Sequence, residues 1–129
     1  MKVVLANGCF DPLHWGHLQH LKQAREMGSL VVAVTASGYV NKGYGRPIFS
    51  DEERIEMLEA LSIVGKVILV RSSLEALNKV GPQIFCKGAE YRGKILKADA
   101  EYCKEHGIKI RFTKGRCYSS TDLVRHFGF

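Results

Sequence analysis

The chain contains no Cys-x-x-Cys pair, no hydrophobic run of membrane-spanning length and no block of like charge. Its four cysteines, Cys9, Cys86, Cys103 and Cys117, are widely spaced, which argues against a zinc ribbon or a disulfide scaffold and for reduced thiols. The apolar start, Val3–Ala6, is too short for a signal-peptide core and runs into a polar turn. A cytoplasmic protein with no membrane partner is therefore the expectation. Prolines number three, and no repeat or low-complexity tract marks a linker, so one domain over residues 1–129 is expected. The Gly-rich stretch Asn41-Lys42-Gly43-Tyr44-Gly45-Arg46 matches neither a Walker A loop nor a Gly-x-Gly-x-x-Gly fingerprint.

What the chain does carry is a formal charge of +6, with 46% hydrophobic and 25% charged residues, the balance of an ordinary folded domain. The charge favours an anionic partner, either nucleic acid or a small phosphorylated molecule. The basic residues are scattered as on a solvated surface, so charge alone does not choose between them.

Short runs rich in β-branched or aromatic residues predict strands over Lys2–Ala6, Leu30–Ala36, Lys66–Val70, Gln83–Cys86 and Ile108–Phe112. Helical spacing predicts a helix over Trp15–Met27, with Gly28 as its C′ residue. A second helix opens at the capping box Ser50-Asp51-Glu52-Glu53 and continues through Leu61. Others cover Ser73–Val80, Ile95–His106 and a last segment from Ser119 through Phe127. Five strands alternating with helices predict an α/β fold: a Rossmann-like, doubly wound, five-stranded parallel sheet with helices on both faces. Ligands of such sheets bind at the carboxyl ends of the strands, where the strand order reverses.

One segment stands at such a place: Gly8-Cys9-Phe10-Asp11-Pro12-Leu13-His14-Trp15-Gly16-His17. It joins the first strand to the first helix, where unpaired backbone N–H groups and the positive end of the helix dipole attract an anion. Two imidazoles added there suit the site to phosphate chemistry. The segments around Lys42, Lys87 and Lys114 follow the second, fourth and fifth strands and should gather on the same rim.

These residues resemble the cytidylyltransferase-like nucleotidyltransferases, whose marks are a His-x-Gly-His after the first strand and a Ser/Thr-rich opening of a late helix. Here they read His14-Trp15-Gly16-His17 and Ser119-Ser120-Thr121. The segments Asn7–Asp11, Lys42 with Gly45-Arg46-Pro47, and Lys87–Tyr91 look most like the heptose-1-phosphate adenylyltransferase branch. His14-Trp15-Gly16-His17 looks more like glycerol-3-phosphate cytidylyltransferase. Gly65 and Ala89-Glu90 depart from the family's usual acidic positions, and Lys114 stands where some cytidylyltransferases carry arginine.

The resemblance implies transfer of a nucleotidyl group from ATP or CTP to a small phosphorylated acceptor, with release of pyrophosphate. It implies Mg2+ and a homodimer, with a nucleoside triphosphate and a phosphorylated small molecule as partners rather than nucleic acid. His14, His17 and Lys42 would act on the phosphates. Gly8, Cys9, Phe10, Asp11, Gly16, Lys87, Gly88, Glu90, Ser119, Ser120 and Thr121 would bind the nucleotide. Arg46, Arg54 and Lys114 would hold the acceptor or its phosphate, and Asp11 would help organise Mg2+, directly or through water. FMN or phosphopantetheine stands as an alternative acceptor, and a non-catalytic nucleotide- or nucleic-acid-binding module as an alternative class. Simpler readings assign Trp15 to packing, His20 to the helix surface or packing, and Asp51, Glu52 and Glu53 to a helix start.

Overall fold

A central strand buried on both faces needs consecutive apolar side chains, and β1 (Val3–Gly8) supplies them in Val4, Leu5 and Ala6, all fully buried. The computed structural model describes residues 1–115. Four further strands follow: β2 (Ser29–Thr35), β3 (Lys66–Val70), β4 (Ile84–Lys87) and β5 (Lys109–Phe112). All pair in parallel, in the order β3-β2-β1-β4-β5. The expected sheet is the one observed.

Two strands extend further toward the rim than their apolar runs. Asn7 and Gly8 pair with Ala33 and Val34 in continuation of β1, and Lys87 pairs with Phe112 in β4. Pairing with neighbours overrides the weak strand preference of these polar residues. It also carries them to the carboxyl edge of the sheet.

The helices are α1 (Trp15–Met27), α2 (Asp51–Glu59), α3 (Ser73–Val80) and α4 (Lys97–His106). Ser50 and Glu53 cap α2 reciprocally, as the sequence predicts. Helix α2 stops at Glu59 rather than Leu61, although Leu61 still packs on the core. Leu21 and Ala24 of α1 and Leu58 of α2 bury against Val4, Ala6 and Val32. On the other face Ala76 and Leu77 of α3 and Cys103 of α4 bury against Leu5, Ala33 and Phe85. No helix among the described residues is long and apolar enough to cross a membrane.

Gly28 ends α1 for a reason other than the one expected. Its backbone is extended, not left-handed, and a Cβ there would lie 2.2 Å from the Lys2 carbonyl oxygen. Close approach to the β1 entry, not a special dihedral, excludes a side chain. Gly65, where the resemblance leads one to expect an acidic residue, sits under a milder constraint of the same kind. It donates its N–H to the Leu30 carbonyl at the start of β3, and a Cβ would stand 3.1 Å from that oxygen.

Among the described residues Arg54 is the largest fully buried side chain. Its guanidinium donates to the carbonyls of Cys9 at 3.0 Å, Thr35 at 2.7 Å and Phe49 at 3.2 Å. It also pairs with Asp51 at 2.7 Å and donates to Ser37 Oγ. The exits of β1 and β2 and the start of α2 are thereby fastened to one charge. Arg54→Met would leave several of these buried acceptors unpaired, at a cost of about 3 kcal/mol or more. Thermal unfolding should show a midpoint lower by roughly 10 °C; a midpoint within 2 °C of wild type would show that the hub is dispensable.

Candidate functional site

The connection from β1 leads to the α1 layer and that from β4 to the α4 layer, so a cleft opens between the two strand ends. Its volume is ≈ 660 Å³. One wall is the first turn of α1, with His14, Gly16 and His17. Gly8, Cys9 and Phe10 form its base at the end of β1, and Lys42 enters from the loop after β2. Lys87, Gly88 and Glu90 line it from β4, and Thr113 and Lys114 from β5. The gathering of strand exits expected from the sequence is present.

The two histidines form a reciprocal cap. His14 is the N-cap of α1, and its Nδ1 accepts from the His17 N–H at 3.3 Å. The His14 N–H donates to His17 Nδ1, also at 3.3 Å. The amide hydrogens are unambiguous donors, so both Nδ1 atoms are acceptors and each neutral ring carries its proton on Nε2. The rings stack with centroids 3.7 Å apart at 21°, and the Phe10 ring meets His17 edge-on at 4.9 Å. Phe10 holds this position with a positive φ of 51°, and a Cβ on Gly8 would come within 3.1 Å of its ring. Gly8 thus makes room for the ring that supports His17.

Burial pushes the His17 pKa down to about 3, reinforced by His14, His20 and Lys42 nearby. Burial, and then Lys42, also lowers that of His14. At neutral pH the stacked rings are therefore uncharged donors that do not repel one another. Lys87 is likewise lowered, chiefly by burial, against the opposing pull of Asp99 and Glu90. Its ammonium lies 4.1 Å from the Tyr91 ring centroid and 5.4 Å from that of Phe85. Burial raises the Cys86 thiol to about 11, which leaves it an inert group in the cleft wall.

Three expected ligands of phosphate or metal are placed differently. Asp11 is fully buried, and its carboxylate accepts from Arg46 Nε at 2.9 Å, the Ile48 N–H at 2.7 Å and the Phe49 N–H at 2.9 Å. Burial alone would raise its pKa, but these bonds outweigh it and the net shift is downward. Its oxygens serve the fold, so Asp11 does not fit a Mg2+ ligand. Arg46 is the buried partner in that pair, with its side chain 4% exposed, and does not line the cleft. Arg54 is the structural hub described above and not an acceptor-binding group. A short-range motif cannot reveal that Asp11 and Arg46 pair across 35 residues, or that Arg54 reaches the Cys9 carbonyl across 45.

Other residues were underrated by sequence reasoning. Trp15 was expected to pack, but it is 59% exposed and lines the cleft. His20 was read as a surface or packing residue, yet it lines the cleft and its Nδ1 lies 2.7 Å from Thr113 Oγ1. Gln23 was not singled out, and it contacts the backbone of Lys114. The recurrence of His14, His17, His20 and Gln23 at every third position was the available signal. Ser119, Ser120 and Thr121 lie outside the described residues, as does the last expected helix. Among the described residues no group of three or more His, Cys, Asp or Glu side chains could hold a metal, and Glu90 is the one carboxylate lining the cleft.

These histidines couple stability to pH. Their folded pKa values, about 3 for His17 and about 4 for His20, lie below the ordinary 6.5, so acid protonates the unfolded chain first. Their contribution is complete above pH 6.5 and is lost as pH falls toward those values. Between pH 6 and pH 4.5, wild type should lose about 1 kcal/mol per pH unit more than His20→Gln in urea unfolding. Parallel pH profiles for the two proteins would contradict the burial of a neutral His20.

The cytidylyltransferase-like family matches residues 5–126. The bifunctional protein HldE of Campylobacter concisus is 37% identical over 96% of this chain, and that of Koribacter versatilis 40% identical over 95%. The chain spans about a quarter of the length of these curated relatives, 26% in each case. Among solved structures, the lipopolysaccharide core biosynthesis protein from Thermoplasma volcanium superposes with a TM-score of 0.76 at 29% identity, covering 91% of this chain and 99% of that one. Pantothenate synthetase from Thermus thermophilus shares the fold alone, with a TM-score of 0.63 at 16% identity over 95% of this chain and 61% of that one. Strand order, a histidine-capped first helix and a match over nearly the whole length agree: this chain belongs to the cytidylyltransferase-like family.

Proposed function

We propose that this domain transfers a nucleotidyl group from a nucleoside triphosphate to a sugar phosphate, releasing pyrophosphate. The observation that carries the reading is the pair of neutral Nε2–H donors at a helix N-terminus, in a cleft also lined by Lys42, Lys87 and Lys114. An oxygen of the acceptor phosphate attacks the α-phosphorus, the bond from that phosphorus to the bridging oxygen breaks, and pyrophosphate leaves with the electron pair. A phosphate monoester has a second pKa of about 6, so the attacking group is already largely dianionic and needs no general base. What the site supplies is alignment of two polyanions and relief of their repulsion.

In this reading His14 and His17 donate to the triphosphate as charge builds on the leaving group. Lys42, close enough to influence both rings, spans donor and acceptor phosphates. Lys87, Gly88 and Glu90 bind the nucleotide from the β4 side, and Ser119, Ser120 and Thr121 serve its outer phosphates. Mg2+ is assigned no step, since Asp11 does not fit its expected role. ATP with heptose 1-phosphate is the favoured pair, supported by the heptose-like segments and by similarity to HldE proteins and to a lipopolysaccharide core biosynthesis protein. The family resemblance further supports a cytoplasmic homodimer.

The test is a pyrophosphate-release screen of ATP, CTP, GTP and UTP against phosphorylated sugars, polyols and cofactors. Release is expected with ATP and a sugar 1-phosphate together, and with neither alone. Release only with CTP and glycerol 3-phosphate, or with FMN or phosphopantetheine, would overturn the substrate assignment; no release with any pair would overturn the reaction. With the active pair, His17→Ala should lower kcat by about 10²–10³ and change KM far less. Near-normal turnover in that variant would remove His17 from the reaction.

A further inference from the structure

Helix α1 carries His14 as its cap, then His17, His20 and Gln23 at intervals of three. Every third residue of an α-helix lies on one slowly winding ridge. The first two positions hold the cap. The last two reach the exit of β5. His20 Nδ1 lies 2.7 Å from Thr113 Oγ1. Gln23 grips the following residue with both ends of its amide: Oε1 accepts from the Lys114 N–H at 2.8 Å, and Nε2 donates to the Lys114 carbonyl at 2.6 Å.

Among the described residues, strand β5 is an edge strand that pairs only with β4, over four residues. Beyond that pairing, the Thr113 N–H donates to the Lys87 carbonyl at 2.9 Å. The β5 exit is thus tied to β4 on one side and to α1 on the other. Glutamine presents a donor and an acceptor at the separation a single peptide residue needs; leucine offers neither, and glutamate keeps only the acceptor.

We propose that His20 and Gln23 are positioning residues that brace the β5 exit against α1 and so hold Lys114 in the cleft with the histidine pair. The proposal rests on the transfer reaction inferred above, because it assigns Lys114 to a phosphate of that reaction. Its specific content is that Gln23 acts through Lys114, across 91 residues of chain. His20 occupies the same ridge one turn earlier and secures the preceding residue.

The test compares wild type, Gln23→Leu, Gln23→Glu, Lys114→Ala and the double variant Gln23→Leu with Lys114→Ala. Amide hydrogen exchange at Lys114 should be accelerated at least about tenfold in Gln23→Leu and less in Gln23→Glu, since one of the two bonds survives there. Pyrophosphate release should fall about tenfold to a hundredfold in Gln23→Leu, and Lys114→Ala added to it should cost little more, because the two act as a unit. Unchanged Lys114 exchange, or losses that multiply in the double variant, would overturn the brace. Should wild type release no pyrophosphate with any substrate pair, the transfer reading fails on its own. Lys114 exchange then decides whether the brace exists, acceleration in Gln23→Leu supporting it and no change removing it.

Discussion

The reciprocal cap between His14 and His17 is the interaction on which the site depends. Two backbone N–H groups that would otherwise be orphans at the start of α1 are satisfied by imidazole nitrogens. The same bonds fix on which nitrogen each ring proton resides and how the rings stack. An ordinary serine cap satisfies the helix equally well but offers no such donors. Here a local helix-capping rule and the proposed phosphate-binding device are one arrangement.

Behind the cap, buried charge fixes the loops. Asp11 binds the segment from Arg46 to Phe49, and Arg54 binds the exits of β1 and β2. A buried ion is costly unless its remaining hydrogen-bonding capacity is met, and both ions meet it largely with backbone groups. The result is a rigid rear wall, which leaves lysines and neutral histidines to face the cleft. Charge that attracts an anion is separated from charge that holds the fold.

Much of this was legible in the sequence. Apolar runs and capping signals gave the parallel α/β sheet, the bounds of α1 and α3, and the Ser50–Glu53 box. His14 and His17 were legible because their spacing and their place after a strand carry a physical meaning. Asp11, Arg46 and Arg54 were misread for a complementary reason: a charged residue beside a phosphate motif looks free until its distant partner is known. Gly28 was recognised as a helix stop, but its cause, the Lys2 carbonyl, lies across the fold. Gln23 was missed, and His20 was read as a surface or packing residue, because their partners lie about 90 residues away, on β5's exit.

The central claim is that two neutral imidazoles, each protonated on Nε2, receive a polyphosphate at the opening of α1. Nitrogen NMR of 15N-histidine-labelled protein at neutral pH tests it most directly, with His14 and His17 assigned by substitution and spectra taken before and after addition of ATP or CTP. The account predicts Nε2–H neutral tautomers for both rings in the free protein, and a shift of both Nε2 signals on binding the triphosphate. Protonated rings, a proton on either Nδ1, or signals unmoved by a triphosphate that binds the protein would contradict it.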